Sequence, residues 1–153
     1  MPFSRQNTSA PKPLSDKYIQ NPLTIGEKIR NRRLELSLLQ KDVAPLLGTV
    51  EESIYRWETN KNEHEIKYMP KIIEFLGYFP FDIVTSTIGG QIKKYRYLHG
   101  LSQEQVANQL QVNESTVFNY ENGKHKPTLN IIKKIESFLK EHGTGLLIKS
   151  PLD

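Results

Sequence analysis

The chain has 153 residues, of which 37% are hydrophobic and 25% charged, and its formal net charge of +4 favours a polyanionic partner. This composition is typical of a globular protein of one domain or two very small ones, and the absence of cysteine excludes disulfides, zinc ribbons and thiol nucleophiles. The longest apolar stretch, residues 72–84, is interrupted by Glu74 and Asp82 and falls short of the about 20 apolar residues that cross a bilayer. We therefore expect a cytoplasmic protein with no membrane contact.

An internal repeat predicts the domain organisation. Shifting the chain by 63 positions aligns residues 24–76 with residues 87–139 without a gap and gives 17 identical positions. Many of these positions are polar, and a chance similarity of amphipathic helices would not keep them in register. We infer a duplication. The predicted organisation is a flexible polar N-terminal tail, a degenerate first domain, a better-matching second domain and a short C-terminal tail: 1–21, 22–84, 85–142 and 143–153.

The first copy predicts four short helices. Its third helix is expected over residues 51–58, after a turn at residues 48–50. Pro45 lies inside the predicted second helix, where it removes a backbone hydrogen bond and would kink the helix unless it falls in the first turn. The segment 77–84 between the copies is aromatic rather than polar. We expect this segment to pack between the repeats rather than to form a free linker.

The second copy predicts the same four helices with clearer end signals. Gly100 suits the end of the first helix, and Ser102 with Gln105 has the capping-box pattern that starts the second. Asn113 can cap the third helix, which residues 122–123 end. A helix, a turn of about three residues and another helix form the helix-turn-helix arrangement, which places one helix in a DNA major groove.

Motif residues in both copies carry a resemblance to a known family. In the second copy they are 87–89, Arg96, 100–107, 114–117, 120–124 and Pro127, and in the first copy 25–26, Arg33, Gln40, 43–44, 53–54 and 57–58. With these residues the sequence resembles the phage-repressor/Cro-type (XRE-like) helix-turn-helix family, twice in tandem. The resemblance implies an all-α fold of two lambda-repressor-like domains, each of four to five short helices. It also implies a DNA-binding protein that is not an enzyme and needs no cofactor.

The resemblance also implies roles for single residues. It implies a buried structural ion pair in each copy: Arg33 with Glu58 and Arg96 with Glu121. The glutamine that opens each second helix is implied to contact the DNA backbone: Gln40 and Gln103. The start and outer face of the third helix are implied to read base edges, and in the second copy these positions are Asn113, Glu114, Ser115, Phe118 and Asn119.

The side chains of that face suit base recognition on chemical grounds alone. Asn119 can bond bidentately to adenine, Glu114 can accept from cytosine, and the ring of Phe118 can touch a thymine methyl group. For Phe118, packing between the repeats and dimer contact remain open alternatives. Four lysines are expected to meet phosphates, which orients the protein without specifying sequence: Lys93, Lys94, Lys124 and Lys126.

The first copy is a less convincing DNA reader. Its third helix begins at residues 50–52 with one apolar residue and two carboxylates, where hydrogen-bond donors are expected. Arg56, Tyr55 and Lys61 can still reach DNA. Residues 22–84 carry nine basic and ten acidic residues, whereas residues 85–142 carry eight and five. The first copy is therefore either a second reader or a docking surface for a protein.

We interpret the chain as a transcriptional regulator that binds double-stranded DNA with one or both units. Two readers in one chain can bind neighbouring half-sites as a pseudo-dimer. A homodimer through residues 77–84 or 146–148 is a further option. The alternative is an antitoxin-like or scaffold protein whose first copy binds a protein partner while only the second binds DNA. The four histidines lack the spacing of a metal site.

Overall fold

The computed structural model describes residues 18–142, and within this range the regular elements are all helical. The chain divides after Pro80 into two compact units, called unit 1 and unit 2 below. Unit 1 contains α1 (Ile25–Glu35), α2 (Gln40–Leu46), α3 (Glu51–Glu58), a 3₁₀ turn (Ile66–Tyr68) and α4 (Met69–Leu76). Unit 2 contains α5 (Ile88–His99), α6 (Gln103–Leu110), α7 (Glu114–Glu121) and α8 (Leu129–His142). The predicted all-α fold class is confirmed.

The first helices of unit 1 begin where side chains bind free backbone amides. Thr24 Oγ1 accepts a hydrogen bond from the amide of Glu27 at 3.1 Å, and the Glu27 carboxylate accepts from the amide of Thr24 at 3.2 Å. This reciprocal pair is the capping box of α1. At α2, the Asp42 carboxylate accepts from the amide of Leu39 at 2.8 Å. At the other end of the unit, Gly77 stops α4 with a φ of +83°, which glycine adopts without strain.

The core of unit 1 brings α1 and α3 into close contact. Gly26 makes this possible, because a Cβ atom there would overlap the carbonyl oxygen of Trp57. In unit 2, a Cβ atom at Gly89 would overlap the carbonyl oxygen of Tyr120 in the same way. The tight approach of the first helix to the third therefore requires the glycine that both copies share. The largest fully buried side chains of unit 1 are Ile29, Val43, Leu47, Ile54, Met69, Ile72 and Phe75.

Unit 2 has the helix ends that its sequence predicts. Ser102 Oγ accepts from the amide of Gln105 at 3.1 Å, and Gln105 Oε1 accepts from the amide of Ser102 at 2.8 Å. Gly100 ends α5 with a φ of +67°. These signals place α6 and α7 on either side of a three-residue turn. The buried hydrophobic cluster of unit 2 comprises Ile92, Tyr95, Val106, Ala107, Leu110, Val117, Ile135 and Leu139.

Two predicted features of the helices are seen at their expected positions. Pro45 lies inside α2, in its last turn, and the helix ends one residue later. Asn113 occupies the N-cap position of α7, but its side chain makes no capping hydrogen bond. The Asn113 side chain is exposed instead. It is therefore available to a ligand at the start of α7.

The segment between the copies has contacts at both of its central residues. The Pro80 carbonyl accepts a hydrogen bond from Lys28 Nζ at 2.9 Å within unit 1. The Phe81 ring stacks on Tyr97 within unit 2, with centroids 4.6 Å apart. That residues 77–84 pack between the repeats stays a prediction.

Part of the predicted N-terminal tail is fixed to α1. The buried Asn31 side chain exchanges two hydrogen bonds with the backbone of Ile19, at 2.9 and 2.7 Å. Residues 1–17 and the predicted C-terminal tail, with its 146–148 segment, lie outside the described residues. Among the helices of residues 18–142, none combines the length and apolar character that crossing a membrane requires.

Candidate nucleic-acid interface

A buried ion pair in unit 2 fastens α7 to α5. Arg96 Nη2 donates to Glu121 Oε2 at 2.9 Å and Arg96 Nε donates to Glu121 Oε1 at 2.5 Å. Arg96 Nη1 also donates to the carbonyl of Leu101 at 3.1 Å, which ties the start of α6 to the same group. Only 8% of the Arg96 side chain and 4% of the Glu121 side chain are exposed. One guanidinium therefore positions all three helices around the turn.

Unit 1 contains the same arrangement. Arg33 donates to both carboxylate oxygens of Glu58 at 2.7 and 2.8 Å, and to the carbonyl of Leu38 at 3.1 Å. Both ion pairs that the resemblance implies are thus confirmed. Bidentate geometry of this kind is stronger and more directional than a single charged hydrogen bond. The third helix of each unit is consequently held at a fixed angle to the first.

The two glutamines at the starts of α2 and α6 belong to these ion pairs. Gln103 Nε2 donates to Glu121 Oε2 at 2.9 Å, and Gln40 Nε2 donates to Glu58 Oε2 at 2.9 Å. Sequence reasoning assigned them only to the DNA backbone and missed this bond. The bond engages one of the two amide hydrogens, so the second amide hydrogen and the backbone amide at the helix start are the groups left for a phosphate. The sequence signal for this bond was that the glutamine and the glutamate recur in both copies at the same spacing.

The outer face of α7 carries the residues that were predicted to read bases. Val117 is fully buried and fixes the opposite face of the helix toward the core. Because an α-helix turns once in about 3.6 residues, Ser115, Phe118 and Asn119 then share the outward side. Ser115 is exposed, Phe118 is 42% exposed and Asn119 is half-buried. Glu114 and Asn113 are exposed at the start of the same helix.

Cationic side chains follow α7 directly. Lys124 Nζ lies 4.9 Å from the centroid of the Phe118 ring, a cation–π contact. Lys126 is exposed, and within residues 18–142 no hydrogen bond or ion pair engages it. The structure thus brings Lys124 together with the predicted reading face. Lys93 and Lys94 lie on α5 and are half-buried.

The sequences of known proteins give this arrangement a family. The model of the helix-turn-helix family matches residues 92–146. A protein named as an uncharacterized HTH-type transcriptional regulator from Methanocaldococcus jannaschii is 42% identical over 48 residues, which are 31% of this chain and 73% of that protein. The chain belongs to the helix-turn-helix family.

A longer relative aligns with more of the chain. A protein named as an HTH-type transcriptional regulatory protein from Methanobrevibacter smithii is 30% identical over 122 residues. The alignment covers 78% of this chain, so it includes parts of both units, but only 35% of the relative. This chain therefore spans about a third of the length of that protein. No solved structure matches the chain significantly.

The predicted DNA contacts of unit 1 on and after α3 are engaged with neighbouring side chains. On α3 of this helix-turn-helix chain, Arg56 Nε donates to Glu52 Oε1 at 2.8 Å. Lys61 Nζ donates to the hydroxyl of Tyr55 at 3.0 Å and lies 4.7 Å from the centroid of that ring. The positions of Tyr55 and Lys61 correspond to those of Phe118 and Lys124 in unit 2. The lysine–aromatic contact is thus common to both units, and sequence reasoning did not foresee it.

Three exposed side chains of unit 1, at the two ends of α2 and at the N-cap of α3, are apolar and lie among exposed charged residues. Leu39, Leu46 and Val50 have exposures of 56%, 38% and 64%. The corresponding residues of unit 2 are polar: Ser102, Gln109 and Asn113.

The pKa values of two histidines, the half-buried His64 and the exposed His99, are lowered. His64 Nε2 is 3.0 Å from Met69 Sδ, and its ring meets the edge of Trp57 with centroids 6.0 Å apart. Burial lowers the pKa of His64, against a smaller opposing effect of Glu63. Burial also lowers the pKa of His99, as does the charge of a neighbouring histidine. Within residues 18–142, no group of three or more histidines and carboxylates is placed to hold a metal ion.

Proposed function

We propose that the chain is a transcriptional regulator that binds double-stranded DNA sequence-specifically and inserts α7 into the major groove. The observation that carries this proposal is the outward face of α7. This face exposes Ser115 and part of Asn119 to solvent and is held rigidly by the buried pair of Arg96 and Glu121. A fixed helix with exposed hydrogen-bonding side chains is what direct readout of base edges needs.

Each predicted contact has a chemical role in this proposal. Asn119 bonds bidentately to adenine, and Glu114 accepts from the amino group of cytosine. Ser115 and Asn113 donate to or accept from either kind of base edge, or bind the flanking phosphates. Lys126 binds phosphate and gives affinity without sequence preference. The backbone amide of Gln103, at the start of α6, is a further phosphate donor.

We further propose that both units are copies of one duplicated helix-turn-helix domain. Three features support this. The two units share the arginine–glutamate–glutamine cluster, the glycine that lets the first helix approach the third, and the lysine–aromatic contact after the third helix. Two readers in one chain would bind neighbouring half-sites as a pseudo-dimer, since linkage makes the second binding event intramolecular.

A second candidate function concerns unit 1 alone. Its exposed Leu39, Leu46 and Val50 favour a docking surface for a protein over a DNA-reading face. The pairing of Arg56 with Glu52 also leaves fewer free cations on α3. In this case only unit 2 binds DNA, as in an antitoxin-like or scaffold protein. The proposals differ in the number of phosphates that unit 1 neutralises.

The test is to select bound duplexes from a random pool with the full chain and then to measure affinity against salt. Recovery of one motif, whose binding is weakened by substitutions on the outer face of α7, supports the DNA-reading proposal. Recovery of two motifs at a fixed spacing supports the pseudo-dimer. Lys61→Ala in unit 1 and Lys126→Ala in unit 2 are compared on the recovered site. Each phosphate contact removed lowers the slope of log affinity against log salt by about one. A slope that changes only with Lys126→Ala favours the protein-docking function of unit 1, and recovery of no motif contradicts sequence-specific binding.

A further inference from the structure

Phe118 is a large aromatic residue that is exposed on α7 instead of packing into the core. The ring projects from the outward face of the helix with 42% of the residue exposed, whereas Val117 next to it is fully buried. Its position lies one turn from Glu114 and Ser115, among the polar groups of the reading face. A large apolar group in that place is suited to an apolar feature of the ligand.

Lys124 fixes the ring before any ligand arrives. Its ammonium lies 4.9 Å from the ring centroid, within the range of a cation–π contact. Such a contact reduces the rotamer freedom of Phe118, so less entropy is lost on binding. It also covers one face of the ring with a positive charge that can face a phosphate, and leaves the rest of the ring open.

The major groove offers one apolar group, the 5-methyl group of thymine. Cytosine presents the same group only when it is methylated at carbon 5. We propose that the Phe118 ring, in contact with Lys124, recognises the pyrimidine 5-methyl group. This inference rests on the proposed function of the chain as a protein that reads DNA bases. The chain then distinguishes thymine from uracil at one position of its site, and 5-methylcytosine from cytosine at the same position.

Unit 1 has a different aromatic–lysine pair at the equivalent positions. Tyr55 replaces the phenylalanine, and its hydroxyl accepts a hydrogen bond from Lys61 at 3.0 Å. The polar end of the ring is therefore bound to the lysine, and Tyr55 is exposed to 39%. Methyl recognition of this kind is thus assigned to unit 2, and one sensitive position per site is expected.

The experiment uses the full chain and a duplex recovered from a random pool. Each thymine of the site is replaced in turn by deoxyuridine, which removes only the methyl group. At the sensitive position the thymine–adenine pair is also replaced by cytosine–guanine and by 5-methylcytosine–guanine. The readout is the Kd at constant salt. We expect one thymine whose replacement weakens binding about fourfold, the change that burial of one methyl group gives, and a similar gain on methylation of cytosine.

Two variants test whether Phe118 is responsible. Phe118→Ser removes the apolar contact and is expected to bind thymine and deoxyuridine equally. Phe118→Leu keeps an apolar side chain and is expected to retain most of the preference. Circular dichroism spectra identical to those of the unchanged protein show that both variants fold.

The outcomes separate this inference from the function on which it rests. A recovered site at which no deoxyuridine changes the affinity overturns methyl reading and leaves DNA reading intact. A thymine preference that survives in Phe118→Ser also overturns it. Failure to recover any site contradicts the proposed function itself, and methyl reading with it.

Discussion

Glu52 and Arg56 lie one turn apart on α3 and form an ion pair, with Arg56 Nε 2.8 Å from Glu52 Oε1. The corresponding positions of α7 hold Ser115 and Asn119, which are neutral. Arg56, which was predicted to be able to reach DNA, is therefore partly neutralised by a carboxylate on its own helix. Removal of the Glu52 carboxylate therefore tests whether this face of α3 contacts DNA.

Glu52→Ser gives α3 the residue found at the equivalent position of α7. If unit 1 contacts DNA, we expect tighter binding and a salt slope steeper by about one, because Arg56 becomes free for a phosphate and a repelling charge is lost. Affinity measured against salt concentration checks this. Glu63→Ser is the matched control, since it removes one exposed carboxylate just beyond α3. Equal binding by both variants and the unchanged protein would instead favour the docking role of unit 1.

Glu58→Gln tests the buried ion pair of unit 1. Glu58 is 3% exposed and satisfies both Arg33 and Gln40, so loss of its charge leaves a buried guanidinium unpaired. We expect the free energy of unfolding to fall by about 3–5 kcal/mol. Trp57 is the single tryptophan of the chain and lies next to the pair, so its fluorescence during urea unfolding reports on unit 1.

Glu51→Gln on the same helix is the control for this measurement. Glu51 is exposed, and its substitution is expected to change the free energy of unfolding by less than about 0.5 kcal/mol. Similar urea midpoints for the two variants would contradict a structural role for the buried pair.

Sequence patterns were sufficient to predict the helices, whereas the ion pairs were predicted from the family resemblance. The repeat at 63 positions kept Arg33 with Arg96 and Glu58 with Glu121, and periodicity placed α3 at residues 51–58. Turn and cap residues predicted most helix ends. The helices and their ends depend on local spacing, which one sequence contains, whereas each ion pair joins residues 25 positions apart.

Other features depend on side-chain directions that spacing does not determine. The bond from Gln103 to Glu121 and the contact of Lys124 with Phe118 each require a particular rotamer. The buried Asn31, which binds the backbone of Ile19, has no repeat partner to mark it, since the second copy has lysine there. Asn113 is the N-cap residue of α7, as predicted, but its side chain makes no capping hydrogen bond, which the residue type alone does not determine.

Asn119→Ala and Lys126→Ala are expected to weaken DNA binding in different ways. If Asn119 reads adenine as proposed, its loss should relax the preference at one base pair by about 1–3 kcal/mol. If Lys126 binds phosphate as proposed, its loss should weaken specific and random duplexes about equally. Binding to the recovered site, to each single-base variant and to random duplex measures both effects.

Lys124→Ala cannot replace Lys126→Ala in this comparison, because it would not separate a phosphate contact from base preference. Its side chain contacts the Phe118 ring, so its loss should affect both affinity and base preference. If Asn119→Ala and Lys126→Ala act identically on specific and random DNA, the assignment of contacts on α7 is wrong.

The partly buried His64 predicts a pH dependence of stability in unit 1. Burial lowers its pKa, so the folded state favours the neutral ring, while the unfolded chain takes up a proton near the ordinary histidine value of about 6.5. Below that pH the unfolded state binds more protons than the folded state. Stability is therefore fully present above the ordinary value and is lost as the pH falls through it toward the lower pKa of the folded state.

Urea unfolding followed by Trp57 fluorescence at pH 7.5 and 5.5 measures this loss. We expect His64→Gln to lose less stability between the two pH values than the unchanged protein, because glutamine does not titrate. His125→Gln, at an exposed position in unit 2, is the control and should keep the original pH dependence. An equal loss in His64→Gln and the unchanged protein would assign the pH dependence to other groups, since His64 would then hold its proton equally in both states.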